Sequence, residues 1–182
     1  MRYIFIDLGA FNGDSIKQFM KRRKLPVKAE EFSIYAFEPN PNCFDALTVL
    51  YEYLPNFVHF EMAAAWVKNE IKDFAVDNTK TPFGSSLMKS KRDYDSFDIV
   101  QVYCIDFSEW IKKFRDDYVI VKMDVEGSEF PLLAKMLKDG THKIINQLWL
   151  ETHPNKVKEY TTKQSDKLFA RLRKDIYVEE WE

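Results

Sequence analysis

The sequence has little cysteine, little glycine and no long apolar run. Its 182 residues include two cysteines and five glycines. Cys43 and Cys104 are far apart and in no metal-ligand spacing, so we expect free, buried thiols in a reducing compartment. No apolar run reaches the ~20 residues that a membrane span needs, and the start of the chain shows no cleavable leader. These absences predict a soluble, cytoplasmic protein without a membrane partner.

An excess of charge of one sign is also missing. The net charge is -2, which argues against a large surface for nucleic acid. The basic run Lys21, Arg22, Arg23 and Lys24 is expected to be the solvated end of the first helix, where cations are favourable. Hydrophobic residues make up 46% of the chain, which is enough for a sizeable core. The length fits one domain over 1–182.

Strand and helix patterns alternate along the chain, which predicts an α/β fold with a mostly parallel central sheet and helices on both faces. We expect strands over 3–8, 33–38, 57–62, 118–123, 143–151 and 176–180. We expect helices over 13–23, 42–53, 106–114, 128–137 and 162–173, with Asn42 as the N-cap of the second. Within 68–104, two further strand patterns predict an edge hairpin or a lid, and the charged stretch 89–98 predicts a mobile surface loop.

The first predicted strand ends in a turn that is typical of nucleotide binding. Residues 7–13 read Asp-x-Gly-x-x-x-Gly, between a strand and a helix. A dinucleotide site needs three glycines so that the backbone can approach a pyrophosphate, but Phe11 occupies the second position. Asp7 would also repel a pyrophosphate and would suit a cation. The turn therefore predicts S-adenosylmethionine, with its ammonium and sulfonium groups, rather than a nicotinamide dinucleotide.

The ends of the other predicted strands carry acidic, small or imidazole residues. Ligands of open parallel sheets bind outside the carboxyl ends of the strands. That rule selects Asp7, Gly9, Asn12, Gly13, Glu38, Ala63, Ala64, Ala65, Asp124, Glu126, Gly127, Glu151 and His153. A carboxylate such as Glu38 can accept hydrogen bonds from both ribose hydroxyls of an adenosine. The alternative for Glu38 is an exposed glutamate before a proline turn.

Four segments resemble the FkbM family of S-adenosylmethionine-dependent methyltransferases. They are IDLGAFNGD at 6–14, YAFEPNP at 35–41, SSL at 85–87 and VKMDVEGSE at 121–129. The resemblance covers roughly residues 4–153. It implies a Rossmann-like methyltransferase sheet and methyl transfer to hydroxyls of sugars and polyketides.

The resemblance also implies cofactor-binding roles by position. The methionine part would lie against the first turn, the ribose against Glu38 and the adenine along 61–64. The implied cofactor residues are Asp7, Gly9, Ala10, Asn12, Gly13, Glu38, Pro39, Asn40, Ala63, Ala64, Ser86 and Asp124. Ser85 and Ser86 either close over the ligand or serve only as turn residues.

Asp124 and Glu126 are two residues apart, so on an extended segment they point the same way. Together they can hold a cation, orient an acceptor hydroxyl or serve as a general base. The alternative is that Glu126, Ser128 and Glu129 cap the next helix and favour its dipole, which we expect of Glu129.

Three histidines are present. His153 follows the fifth strand, and an imidazole with its usual pKa of ~6.5 suits proton removal from a hydroxyl; an exposed turn histidine is the alternative. His59 and His142 are expected to be structural or exposed. Asp124, Glu126, Glu151 and His153 could together form a Mg²⁺ site, because hard oxygen ligands suit that ion, although nothing in the spacing demands one.

The sequence thus predicts an S-adenosylmethionine-dependent O-methyltransferase with Asp124, His153 and Glu126 as catalytic residues. Its partner would be a small-molecule or oligosaccharide acceptor, not nucleic acid, and the chain would be a monomer or homodimer. The alternatives are a cofactor-binding partner subunit without catalysis and a methyltransferase for protein or nucleic acid. An amino-group methylase often carries an Asn/Asp-Pro-Pro-Tyr type segment where this chain has Asp124-Val125-Glu126-Gly127.

Overall fold

The described part of the computed structural model contains a central sheet of six parallel strands. The structure describes residues 1–53, 58–78, 84–91, 94–154, 157–158 and 160–181. The strands are β1 Tyr3–Leu8, β2 Phe32–Phe37, β3 Val58–Glu61, β7 Tyr118–Met123, β8 Gln147–Leu150 and β9 Tyr177–Glu180. Their order in the sheet is β3-β2-β1-β7-β8-β9. The predicted α/β, Rossmann-like class is confirmed, because the strand order reverses direction between β1 and β7 as in doubly wound sheets.

Five α-helices are described. They are α1 Asp14–Met20, α2 Phe44–Tyr53, α3 Phe107–Trp110, α4 Glu129–Asp139 and α5 Thr162–Leu172. Alternate residues of β1 enter different cores: Ile4 and Ile6 pack with α3, α4 and α5, whereas Phe5 packs with α1 and α2. The central strands are buried on both faces, which explains their continuous apolar runs. No described helix has both the length and the apolar character that crossing a bilayer requires.

A second sheet of three strands lies beside the first. Its strands are β4 Ala64–Trp66, β5 Glu70–Val76 and β6 Asp98–Asp106, in the order β4-β6-β5. The strands β5 and β6 pair antiparallel, so a hairpin forms within the segment where one was expected, but not at an edge of the main sheet. In the predicted surface loop over 89–98, most described residues are at least partly exposed, but Lys91 and Tyr94 are buried.

Several predicted boundaries were wrong for local reasons. The helix α1 ends at Met20. Lys21, Arg23 and Lys24 are exposed as predicted, whereas Arg22 is half-buried, with its guanidinium 3.8 Å from the centroid of the Trp149 ring. Asn42 does not cap α2; a 3₁₀ turn precedes that helix, and Asn40 caps the turn by accepting from the Asn42 N–H. The predicted strand over 143–151 shortens to β8, because a 3₁₀ turn occupies Thr141–Ile144.

The two cysteines and the two histidines without an expected chemical role have structural environments. Cys43 and Cys104 are free and buried, and burial raises their thiol pKa values to about 12 and about 11. His142 is buried between Asp175 and the Met136 carbonyl, whereas His59 is exposed and stacks on Tyr35. None of Cys43, Cys104, His142 and His59 lines the cavity at the carboxyl ends of the strands.

Candidate functional site

A cavity of about 460 Å³ lies at the carboxyl ends of the strands, where the strand order reverses. This volume is within the ~300–1,000 Å³ typical of small-molecule sites. The predicted site residues that line it are Gly9, Ala10, Asn12, Glu38, Pro39, Asn40, Ala63, Ala64, Ala65, Asp124, Glu126 and Glu151. Asp7, Gly13, Ser86 and His153 do not line it. Most of the residues that the strand-end rule selected therefore lie around one cavity.

The first turn packs its backbone tightly against the β7 end. Gly9 has φ +83°, and a Cβ there would lie 2.0 Å from the Asp124 carbonyl oxygen. The N–H groups of Gly9 and Ala10 both donate to the Phe37 carbonyl at 3.0 Å. Gly13 serves a different purpose, because a Cβ there would meet the Leu50 side chain at 2.1 Å. Gly13 allows α1 and α2 to approach and does not contact the cavity.

Asp7 lies beneath the turn and not at its mouth. It is fully buried, with Oδ1 3.2 Å from Lys122 Nζ, and it accepts a hydrogen bond from the Ser15 hydroxyl. Lys122 Nζ also donates to the Gly9 carbonyl at 2.7 Å and lies 3.5 Å from Asp124 Oδ2. Burial opposes the charge of Lys122, but Asp7 and Asp124 outweigh it and raise the pKa of Lys122. The expectation that Asp7 presents an uncompensated acid to a ligand was wrong.

Lys122 lines the cavity and was missed in the sequence. It stands in the apolar run Tyr-Val-Ile-Val-Lys-Met, which was interpreted as a strand, and the family-like segment at 121–129 was given no role for the lysine. A lysine inside a buried strand needs a partner, because lysine is almost never fully buried unpaired. The acid at the same level of the neighbouring strand, Asp7, pairs with Lys122 in register.

Glu38 forms part of the cavity wall and is 7% exposed. Its Oε2 accepts from the Phe11 N–H and its Oε1 from the Asn40 N–H, both at 2.8 Å. Burial raises the pKa of Glu38 to about 7, although these two amide donors act in the opposite direction. Glu38 therefore joins the turns after β1 and β2. The alternative of an exposed glutamate is excluded.

Carboxylates from the β7 and β8 ends converge on His153. The Nε2 atom of His153 lies 3.3 Å from Glu151 Oε1, 3.4 Å from Glu126 Oε1 and 3.9 Å from Asp124 Oδ1. Asp124 and Glu126 do come together, as expected, but not on an extended segment. Glu126 has φ +53° and Gly127 φ +106°, so a tight turn re-aims the second acid.

His153 is buried and is not the exposed turn histidine of the alternative. Glu129 Oε1 accepts a hydrogen bond from the backbone N–H of His153 at 2.7 Å and lies 3.1 Å from the ring Nδ1 of the same residue. Glu129 Oε2 accepts from the backbone N–H of Gly127 at 2.8 Å. Glu129 is 0% exposed, so the expectation that it merely favours a helix dipole was wrong. It fixes the orientation of the imidazole.

The second sheet is fastened to the turn that carries Glu126. The Ser86 hydroxyl donates to the Glu126 carbonyl at 2.8 Å, and Lys91 Nζ lies 2.6 Å from Glu126 Oε2. The side chain of Lys91 is 6% exposed. Ser85 does line the cavity, and its hydroxyl accepts from the Asp77 N–H at 3.0 Å. Lys91 was missed because a charged stretch was interpreted as solvated.

Comparison with protein families matches residues 7–176 to the methyltransferase FkbM domain. A solved structure, methyltransferase FkbM from Methylobacillus flagellatus KT, is similar at 18% identity and a TM-score of 0.44. That match covers 76% of this chain and 31% of the other, so the chain spans about a third of the length of that protein. A comparison with curated proteins finds no match.

Proposed function

Because the chain belongs to the FkbM methyltransferase domain family, we propose that it transfers a methyl group from S-adenosylmethionine to a hydroxyl of a small molecule, most simply a sugar or glycan. The observation that carries this proposal is the cavity at the reversal of strand order. One end has the buried acid Glu38, and the other has the carboxylates around His153.

The cavity residues fit the proposed cofactor. Small side chains at Ala63, Ala64 and Ala65 leave room for a flat adenine ring, and Glu38 offers carboxylate oxygens to ribose hydroxyls. The close packing at Gly9 keeps the first turn low, so that a ligand can lie across it. When bound, S-adenosylmethionine supplies a methyl group on a positively charged sulfur that an acceptor oxygen can attack.

Asp124 is the best-placed group to receive the proton of the acceptor hydroxyl, because it lines the cavity and is only partly buried. His153 lies behind the carboxylates, so we assign it to holding Asp124 and Glu126 rather than to direct contact with the acceptor. Positioning of the two reactants would supply most of the catalysis.

The charge of the cavity supports an acceptor without phosphate groups. Among the described lining residues, five are acidic and one, Lys122, is basic. Such a surface repels phosphate, so we propose a neutral polyhydroxyl acceptor and neither a nucleic acid nor a phosphorylated sugar.

The first experiment is calorimetric titration with S-adenosylmethionine, S-adenosylhomocysteine and NAD⁺. We expect binding of the first two only, and binding of NAD⁺ alone would contradict the proposal. Transfer of a labelled methyl group is then measured over a panel of saccharides with the wild type and Asp124→Asn. Cofactor binding without transfer to any acceptor would favour a non-catalytic partner subunit instead.

A further inference from the structure

Two side chains in the wall of the cavity and one buried behind them present ligand atoms to a common point. These are two carboxylates and an imidazole, from Asp124, Glu126 and His153, and their ligand atoms all lie within 4.8 Å of one another. Ligand atoms of an octahedral ion are about 3 Å apart when adjacent and about 4.2 Å apart when opposite. Small side-chain rotations would therefore bring all three atoms to coordinating distance.

A different partner holds each of these side chains from behind. Lys91 Nζ lies 2.6 Å from Glu126 Oε2, and Lys122 Nζ lies 3.5 Å from Asp124 Oδ2. The atoms that face His153 are the other oxygens, Glu126 Oε1 and Asp124 Oδ1. Each carboxylate thus gives one oxygen to an ammonium group and turns the second toward the common point.

The imidazole is held in the same way. Glu129 Oε1 accepts from the backbone N–H of His153 and lies 3.1 Å from the ring Nδ1, which leaves Nε2 as the ring atom directed at Asp124 and Glu126. A carboxylate on the far nitrogen of a histidine is the usual support of a metal-ligating imidazole, since it fixes the tautomer and the ring orientation. Glu129 is fully buried, so this support does not depend on solvent.

A third acid completes the arrangement on the side of the cavity. Glu151 Oε1 lies 3.3 Å from His153 Nε2, and Glu151 lines the cavity together with Asp124 and Glu126. Three carboxylates thus face one small volume while both lysines contact oxygens on the far side. A divalent cation at that volume would offset their mutual repulsion.

We propose that Asp124, Glu126 and His153 bind a divalent cation, with Glu151 as a further ligand. A donor set of carboxylates with one imidazole suits Mn²⁺, and Mg²⁺ more weakly. The site itself stands on these contacts alone. Its role, polarising the acceptor hydroxyl at the cavity wall, rests on the proposed methyl transfer.

The test is a titration of the chelator-treated full chain with Mn²⁺, in which electron paramagnetic resonance measures the concentration of the free ion. We expect one saturable site, with affinity at least tenfold weaker in Glu126→Gln and in Asp124→Asn. The matched control is Asp73→Asn, which removes a carboxylate from an exposed lysine pair and should leave Mn²⁺ affinity unchanged. Absence of saturable binding, or equal affinity in Glu126→Gln and the wild type, would overturn the inference.

Binding of S-adenosylhomocysteine, measured without metal, separates this inference from the proposed function. A wild type that binds S-adenosylhomocysteine but not Mn²⁺ removes the cation site and leaves the methyltransferase proposal standing. Binding of Mn²⁺ without S-adenosylhomocysteine has the opposite meaning. Far-ultraviolet circular dichroism shows whether the two variants are folded.

Discussion

Burial raises the pKa of Glu38 more than its two backbone donors lower it, so the charge of this carboxyl changes near neutral pH. Its pKa is about 7, above the ordinary value of 4.5. Ribose hydroxyls bind an ionised carboxylate more strongly than a neutral one. We therefore expect affinity for S-adenosylhomocysteine to fall about tenfold from pH 8 to pH 6, as the ionised fraction falls. Calorimetry at both pH values measures this.

The control for this pH dependence is Glu38→Gln, which accepts hydrogen bonds but does not titrate. At pH 8 this variant should bind S-adenosylhomocysteine more weakly than the wild type by about 1.5–3 kcal/mol. Its own affinity should be the same at pH 6 as at pH 8. A pH dependence that persists in the variant would show that another group causes it.

The stability of the free protein depends on pH in the opposite direction. Because the pKa of Glu38 is higher in the folded chain than in the unfolded chain, Glu38 lowers stability as the pH rises from 4.5 through about 7.

The buried pair of Lys122 and Asp7 gives a prediction about stability. Both side chains are almost completely inaccessible, and Nζ lies 3.2 Å from Oδ1. Lys122→Met should lower the free energy of unfolding by about 3–5 kcal/mol, because it leaves the Asp7 carboxylate buried without its cation. Adding Asp7→Asn to that variant removes the stranded charge and should restore part of the loss. Urea unfolding would contradict this if the double variant lost the sum of the two single changes.

At the scale of elements, the second sheet is joined through Lys91 and Ser86 to the turn that carries Glu126, just before α4. Ser86 pairs with Ala75 of β5 through two backbone hydrogen bonds at 2.9 Å, so the same residue links the sheet and the turn. Lys91→Met should loosen this link and raise hydrogen exchange of the Ala75 and Ser86 amides by about tenfold, which corresponds to ~1.4 kcal/mol of local opening.

Lys89 provides a matched comparison two residues away. It pairs with Asp73 at 2.9 Å, but its side chain is 69% exposed, against 6% for Lys91. Exposed pairs contribute about 0–1 kcal/mol, so Lys89→Met should leave these amides nearly unchanged. Equal acceleration in the two lysine variants would show that the buried contact with Glu126 does not fasten the sheet.

For the whole molecule, the regular parts of the fold were predictable and the supports of the site were not. Continuous apolar runs identified the central strands, and the strand-end rule collected the residues of the cavity. The strand Ala64–Trp66 was missed because three residues carry no periodic pattern. Lys91, Lys122 and Glu129 were missed or misassigned because their roles depend on partners distant in sequence. Pairing of that kind leaves no local pattern.

The cavity contacts both halves of the central sheet, so a ligand bound there affects the stability of the whole molecule. Gly9 and Glu38 lie on the β1–β2 side, and Asp124 and Glu151 on the β7–β8 side. A ligand that fills it binds only the folded chain, so S-adenosylhomocysteine at 100 times its dissociation constant should add ~2.7 kcal/mol to stability. For a domain of this size that corresponds to a rise in Tm of about 5–10 °C, and NAD⁺ should give none. Calorimetric binding of S-adenosylhomocysteine without a rise in Tm would mean that the ligand also binds unfolded chain, and the cavity would not be its site.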